Sequence, residues 1–184
     1  MKEYRYSGWV YILRQLSYED AVKAWDEAIS VHTVFTAAPD ATFIAYVRLA
    51  DAWAARAEAA WFGDDFPAAR ASFEQAEAVL APVFEREPES REAYDRITLH
   101  AMQRLRMDAA WAKARPEDAQ AARADALGAA ERARRRSKRA AAPSSFATIL
   151  LQGIAKLEAA WSDEADPPSP EIEGGHAEGT TPRR

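Results

Sequence analysis

The chain has 184 residues, of which 48 % are hydrophobic and 29 % charged, and its formal net charge is −5. This length and balance fit one globular domain, and the absence of cysteine excludes disulfides, thiolate zinc sites and a cysteine nucleophile. Because no apolar stretch approaches the roughly 20 residues of a membrane span, we predict a cytoplasmic protein without one.

The alanine-rich composition favours helix, since alanine is the best helix former. The first fifteen residues permit two interpretations. Residues 4–12 have the propensity of a strand, but they precede a strongly helical segment, and we therefore expect a helix. With the segment that follows, this helix would form the first of three helical hairpins, residues 1–38.

Two segments, residues 18–28 and 66–76, carry the same pattern 48 residues apart. Four positions coincide under this shift: Tyr18 with Phe66, Ala21 with Ala69, Trp25 with Phe73, and Ala28 with Ala76. Their spacing of three and four residues places them on one stripe of a helix. Alanine allows close approach while the rings fill the space beside it, so the stripe predicts a packing face.

The second hairpin is expected over residues 40–87. Apolar residues recur at helical spacing from 41 to 62, and Gly63-Asp64-Asp65 then interrupts the pattern. Glycine ends helices, and Asp65 is a good N-cap for a helix with Pro67 in its first turn. Residues 40–87 therefore indicate a helix, a tight turn and a second helix.

The third hairpin is expected over residues 89–140, with a second helix that starts near Pro116. A lone helix over residues 145–162 would cover the end of the helical domain, which thus spans residues 1–162. Residues 163–184 form an acidic tail rich in proline and glycine, and we predict that it is disordered. With six acidic and two basic residues, the tail accounts for most of the net charge of −5.

The segment Asp64–Ala76 resembles the second half of a tetratricopeptide repeat (TPR), with its acidic turn and its aromatic and alanine positions. Residues 16–28 are similar, and Trp53 lies where the family often has a tryptophan. The resemblance implies an all-α, right-handed array of about seven helices, with a groove lined by the first helix of each hairpin. The repeat of 48 to 50 residues exceeds the family's period of about 34, and Arg56-Ala57 replaces its usual Leu-Gly pair. "TPR-like" is therefore the appropriate description.

A groove of this kind would bind another protein or a peptide. Four residues of the first helices are candidates for binding it: Arg48, Trp61, Arg104 and Trp111. Trp61 and Trp111 occupy equivalent positions 50 residues apart, and they are either groove aromatics or ordinary core between helices. The two arginines either pair with acidic groups of a ligand or are solvated charges.

A basic block follows in the third hairpin, consisting of Arg132, Arg134, Arg135, Arg136, Lys138 and Arg139. At a helix end these cations complement the helix dipole. They would also suit nucleic acid, an anionic surface or an acidic protein partner, although no aromatic residues for base stacking are interleaved. The role of the block stays open between these possibilities.

Residues for catalysis are few. The one Glu-x-x-His match, Glu173 to His176, lies in the predicted tail and not in a helix, no glycine-rich phosphate loop occurs, and Asp64-Asp65 is interpreted as a helix cap. We therefore predict no enzyme activity, no cofactor and no metal site. The predicted function is a protein-binding adaptor or chaperone-like scaffold. The alternatives are nucleic-acid or anionic-surface binding through the basic block, and a structural subunit of a larger assembly.

Overall fold

A computed structural model describes residues 17–87, 89–137 and 144–165. Over these residues the chain is all-α, and no strand is present. The helices are α1 (Tyr18–Thr36), α2 (Phe43–Phe62), α3 (Phe66–Arg86), α4 (Arg91–Ala114), α5 (Ala119–Ser137) and α6 (Ser145–Ala165), and a 3₁₀ turn, Pro116–Asp118, precedes α5. The all-helical prediction is thus confirmed, and none of these helices is long and apolar enough to cross a membrane.

Two predicted elements lie outside the described residues: the helix ahead of Tyr18 and the tail from residue 166 onward. Among the described helices, α2 to α4 match the expected spans to within a few residues. The last helix, which was expected to end at residue 162, continues to Ala165.

Capping side chains fix the starts of four helices. The side chains of Ser17, Asp65, Ser90 and Ser144 each accept a hydrogen bond from the backbone N–H three residues further on. Such a bond satisfies one of the donors that a helix start leaves without an intrahelical partner. The prediction that Asp65 caps α3 is therefore confirmed.

The turn between α2 and α3 is tight. Gly63 ends α2, and its N–H donates to the carbonyl oxygens of Ala59 and Ala60. Asp64 then adopts a φ of 61°, the left-handed conformation that reverses the chain. Tyr18 packs over this turn, since a Cβ added at Gly63 would lie 3.2 Å from the Cβ of Tyr18.

The helices form two layers, with α2, α4 and α6 in one and α1, α3 and α5 in the other. Helices adjacent in sequence pack antiparallel. Neighbouring helices of a layer run parallel. The two bridging pairs between α2 and α4 have the same sequence offset, and so do the two bridging pairs between α3 and α5. The bridging pairs are Asp51 with Arg96, Glu58 with Gln103, Arg70 with Asp125, Glu77 with Arg132, and Asp95 with Ser144.

The core lies between the two layers and is built largely from alanine and aromatic side chains. Phe66, Ala69, Phe73 and Ala76 of α3 are all buried, as their stripe predicts. In α1 the matching stripe is only partly covered. The ring of Tyr18, which was expected to pack inside, is half exposed, because α1 begins at the edge of the described array.

Candidate functional site

Two of the four predicted groove residues lie at the surface. Arg48 is exposed on α2. Trp61 is half-buried and stacks on Phe62, with 5.3 Å between the ring centroids and 9° between the ring planes. Both residues belong to α2, which is the first helix of its layer among the described residues.

The other two, Arg104 and Trp111, lie in the interior. Only 4 % of Arg104 and 7 % of Trp111 is exposed. Trp111 stacks on Phe66 at 5.8 Å between the ring centroids, and its Nε1 donates to Asp118 at 3.2 Å. Because α4 is contacted by α2, α3, α5 and α6, side chains that would be superficial on α2 are enclosed on α4. Neither residue presents its side chain to a partner.

A different set of side chains marks the side of α2, α4 and α6 that is turned away from the other layer, here called the open face. On α2, Ile44, Arg48 and Phe62 lie on one helical stripe and are exposed. On α6, Phe146 and Ile149 are exposed, and Ile149 retains 64 % of its accessible surface. These four large apolar side chains were not singled out as partner-binding, because spacing alone does not show which side of a helix lacks a neighbour.

A polar row lies between α2 and α4 beside the open face. The carboxylate of Asp51 lies 3.4 Å from both Nη1 of Arg96 and Nε2 of His100. Nε2 of Gln103 donates to Glu58 at 2.6 Å. Burial raises the pKa of Glu58, although the hydrogen bond from Gln103 and the nearby positive charges act in the opposite direction. The row fixes the register of two parallel helices.

A buried polar cluster lies next to this row, on the side of α4 that faces α3. Nη2 of Arg104 donates to Glu74 at 3.2 Å, and its Nε lies 3.8 Å from Oδ2 of Asp108. Asp108 is completely buried, and neither of its oxygens accepts a hydrogen bond from the described residues. Burial raises the pKa of Asp108 to about 7, even though the charges of Arg104 and Arg70 favour its ionised form.

The four arginines of the basic block that the structure describes are paired within the protein. Glu77 of α3 accepts hydrogen bonds from Arg132 at 2.8 Å and from Arg136 at 3.0 Å. Arg134 donates to Glu158 of α6, and Arg135 pairs with Glu131 at 2.9 Å. Lys138 and Arg139 lie outside the described residues. The sequence suggested a uniformly positive surface because it does not show that carboxylates of two other helices reach these arginines.

Burial alone would raise the pKa of Glu77. The hydrogen bond from Arg132 and the charges of Arg132, Arg136 and Arg104 together outweigh that effect and lower it. The hydrogen bond to Glu77 in turn raises the pKa of Arg132. The interaction therefore stabilises the charged form of both partners, as expected for a partly buried ion pair between helices.

Two cavities in the described part of the chain are small. One of about 10 Å³, lined by His100, Arg104 and Glu77 among others, has room for about one water molecule. A second, of about 40 Å³, lies between Phe43, Tyr46 and Arg86. Among the described residues, no three His, Asp or Glu side chains converge as metal ligands would. No family model, curated protein or solved structure matches this chain.

Proposed function

We propose that this chain is a protein-binding module, an adaptor or chaperone-like scaffold with a TPR-like helical array, which binds a partner across the open face. The observation that carries this proposal is the exposure of Ile44, Phe62, Phe146 and Ile149 on parallel helices of one layer. Exposed apolar side chains that lie together are typical of interaction surfaces, and Phe146 and Ile149 are one helical turn apart on α6.

Internal regularity supports the TPR-like part of the proposal. The capping residues Ser17 and Asp65 are 48 residues apart, and they cap α1 and α3, two helices of one layer, in the same way. Helix α6 extends the layer of α2 and α4, since Ser144 at its start donates a hydrogen bond to Asp95 near the start of α4. A unit of this length that stacks on its neighbours is the arrangement of helical repeat proteins.

The open face combines two properties that specific binding requires, namely exposed apolar side chains and charged groups beside them. Covering a large apolar side chain contributes about 1.5 to 3 kcal/mol, so several such contacts offset part of the entropy lost on association. Charged groups at the margin, among them Arg48, then distinguish partners by complementarity. We therefore expect the partner to contribute an apolar segment with acidic residues beside it.

Binding is favoured over catalysis by the state of the polar side chains. Arg104, Asp108 and His100 are enclosed in the helix layer, and the cavity beside them has room for about one water molecule. An enzyme site needs converging polar groups that a substrate can reach. On these grounds we retain the prediction of a binding protein, and its cytoplasmic location stays a prediction from the sequence.

The test is affinity purification of the full-length protein from its host, followed by mass spectrometry. Ile149→Asp and Phe62→Asp place a charge on the open face, and Leu127→Asp places one at an exposed apolar position on α5 in the other layer. We expect wild type and Leu127→Asp to capture the same partner and the two open-face variants to lose it. Equal capture by all four proteins, or no reproducible capture by wild type, would overturn the proposal.

The two alternatives have weaker support. Nucleic-acid binding through the basic block requires free cations, whereas Arg132, Arg134, Arg135 and Arg136 are each bonded to a carboxylate. A structural subunit would present the same apolar surface. The same purification would then return a stable assembly of fixed stoichiometry in place of an exchangeable partner.

A further inference from the structure

Helix α1 leaves one apolar flank uncovered. Its members Ala28, Val31 and Phe35 follow one another at helical spacing, and Val31 and Phe35 are 55 % and 58 % exposed. The side of α1 that packs on α2, through Ala21 and Ile29, is buried. The exposed flank therefore lies beside the side of α1 that packs on α2.

The corresponding flank of α3 is covered. Under the shift of 48 residues, Ala28 corresponds to Ala76 and Phe35 to Val83. Ala76 is 0 % exposed and Val83 is 4 % exposed. Ala76 shares a core cluster with Ala54, and Val83 shares one with Val47. Both partners belong to α2, the helix that precedes α3 in the chain and packs antiparallel to it. The flank of α1 thus lacks, among the described residues, the helix that α2 provides for α3.

The chain itself carries a segment suited to this position. Residues 1–16 join α1 directly at its cap Ser17, just as α2 and its turn join α3 at Asp65. Under the same shift, Tyr6, Trp9, Ile12 and Leu13 correspond to Ala54, Ala57, Ala60 and Trp61, which all lie in or against one core cluster. The segment therefore carries apolar residues at these four positions, as α2 does, whereas Lys2 stands at the position of Ala50.

We infer that residues 2–15 of this chain dock on the flank of α1 as an antiparallel helix, in the way α2 packs on α3. Fourteen helical residues span about 21 Å, enough to pass Ala28 and approach Val31. Burial of the aromatic side chains against the alanine positions of α1 stabilises the docking. This inference is independent of the partner-binding function, since it concerns a flank of α1 and not the open face of α2, α4 and α6.

The cysteine-free chain allows a direct test by disulfide formation. In full-length protein, Tyr6→Cys with Ala28→Cys pairs the positions that correspond to Ala54 and Ala76. The control pairs Tyr6→Cys with Glu27→Cys, since Glu27 is exposed and lies one residue along on another side of α1. We expect mild oxidation to give an intramolecular disulfide in the first protein at several times the yield of the control, measured by mass spectrometry of tryptic peptides. An intermolecular disulfide, which would indicate a second copy on the flank, or equal yields in both proteins, would overturn the inference.

A second measurement needs no disulfide. Val31 and Val34 are both valines of α1 with more than half of their surface exposed, but only Val31 lies on the flank. If the segment docks, Val31→Asp lowers the melting temperature by several degrees, whereas Val34→Asp leaves it nearly unchanged. Equal effects of the two substitutions would contradict docking.

Discussion

In the interior of α4, Nε of Arg104 lies 3.8 Å from Oδ2 of Asp108, one helical turn along. The two side chains are almost completely enclosed, with 4 % and 0 % of their surface exposed. A buried carboxylate in such surroundings is costly to ionise, and the proximity of a guanidinium offsets only part of that cost. The pair is therefore the most pH-sensitive element that we find in the described part of the fold.

The pKa of Asp108, raised from 3.8 to about 7, predicts how stability depends on pH. Between these values the unfolded chain has released this proton and the folded chain still holds it, so stability decreases as pH rises. Asp108→Asn mimics the neutral form. We expect the variant to match wild type near pH 4 and to exceed it at pH 8 by a free energy of unfolding on the order of 3 kcal/mol. Urea unfolding at both pH values measures this, with the exposed Asp40→Asn as control; a variant less stable than wild type at pH 8 would contradict it.

Glu77 behaves in the opposite way. Its pKa is lowered from 4.5 in the folded state, so its interaction with Arg132 and Arg136 stabilises the protein above that value and is lost as pH falls through the lowered pKa. At neutral pH we expect Glu77→Gln to cost about 1 to 3 kcal/mol, because the half-buried Arg136 and the more exposed Arg132 both lose their acceptor. Glu131→Gln, which removes the partner of the exposed Arg135, should cost less than about 0.5 kcal/mol. Denaturant unfolding of the two variants distinguishes these values, and equal losses would count against the α3–α5 bridge.

Neutralisation of the basic block predicts weak binding to polyanions. We expect wild-type protein to pass through a heparin column at physiological salt, because Glu77, Glu131 and Glu158 already occupy its described arginines. Glu77→Gln should be retained more strongly than wild type. Strong, salt-sensitive retention of wild type would instead support the nucleic-acid alternative.

Two glycines within the described helices, Gly128 and Gly153, should respond differently to substitution by alanine. Gly128 lies in α5, where an added Cβ would approach only the end of Arg132, at 3.4 Å. Gly128→Ala should therefore stabilise the protein by about 1 kcal/mol through the lower entropy of the unfolded chain. In Gly153→Ala the new Cβ lies 3.3 Å from Sδ of Met102, so part of the gain is lost as the methionine shifts. Chemical denaturation should rank Gly128→Ala above Gly153→Ala, and the reverse order would argue against the close packing of α4 and α6.

The turn between α2 and α3 offers a further prediction. Asp64 has a φ of 61°, which glycine adopts without steric cost. We expect Asp64→Gly to stabilise the protein by about 0.5 to 1 kcal/mol, less than the full strain because glycine also increases the entropy of the unfolded chain. Asp40→Gly serves as the comparison, since Asp40 does not have a positive φ, and it should be neutral or destabilising. A loss of stability in Asp64→Gly would show that the aspartate side chain, and not its conformation, maintains the turn.

The helices and their ends were predictable because they depend on local interactions. Spacing of apolar residues identified α2, α3 and α4, and Asp65 was recognised as a cap from its position after Gly63. The candidate site was less predictable. Trp61 and Trp111 are equivalent in sequence, yet one is half-buried at an edge and the other is enclosed, since burial depends on how many helices surround each position.

The sequence by itself determined that this protein is helical, where most of its helices begin and end, and which stripes of α1 and α3 correspond. These properties follow from helix propensity, capping and periodicity, which act over a few residues. The tertiary structure decided that the basic block is paired with carboxylates from α3, α5 and α6, that Arg104 and Asp108 are buried together, and that the exposed apolar side chains of α2 and α6 belong to one layer. Such relationships arise between residues distant in the chain, because they depend on which helices lie side by side.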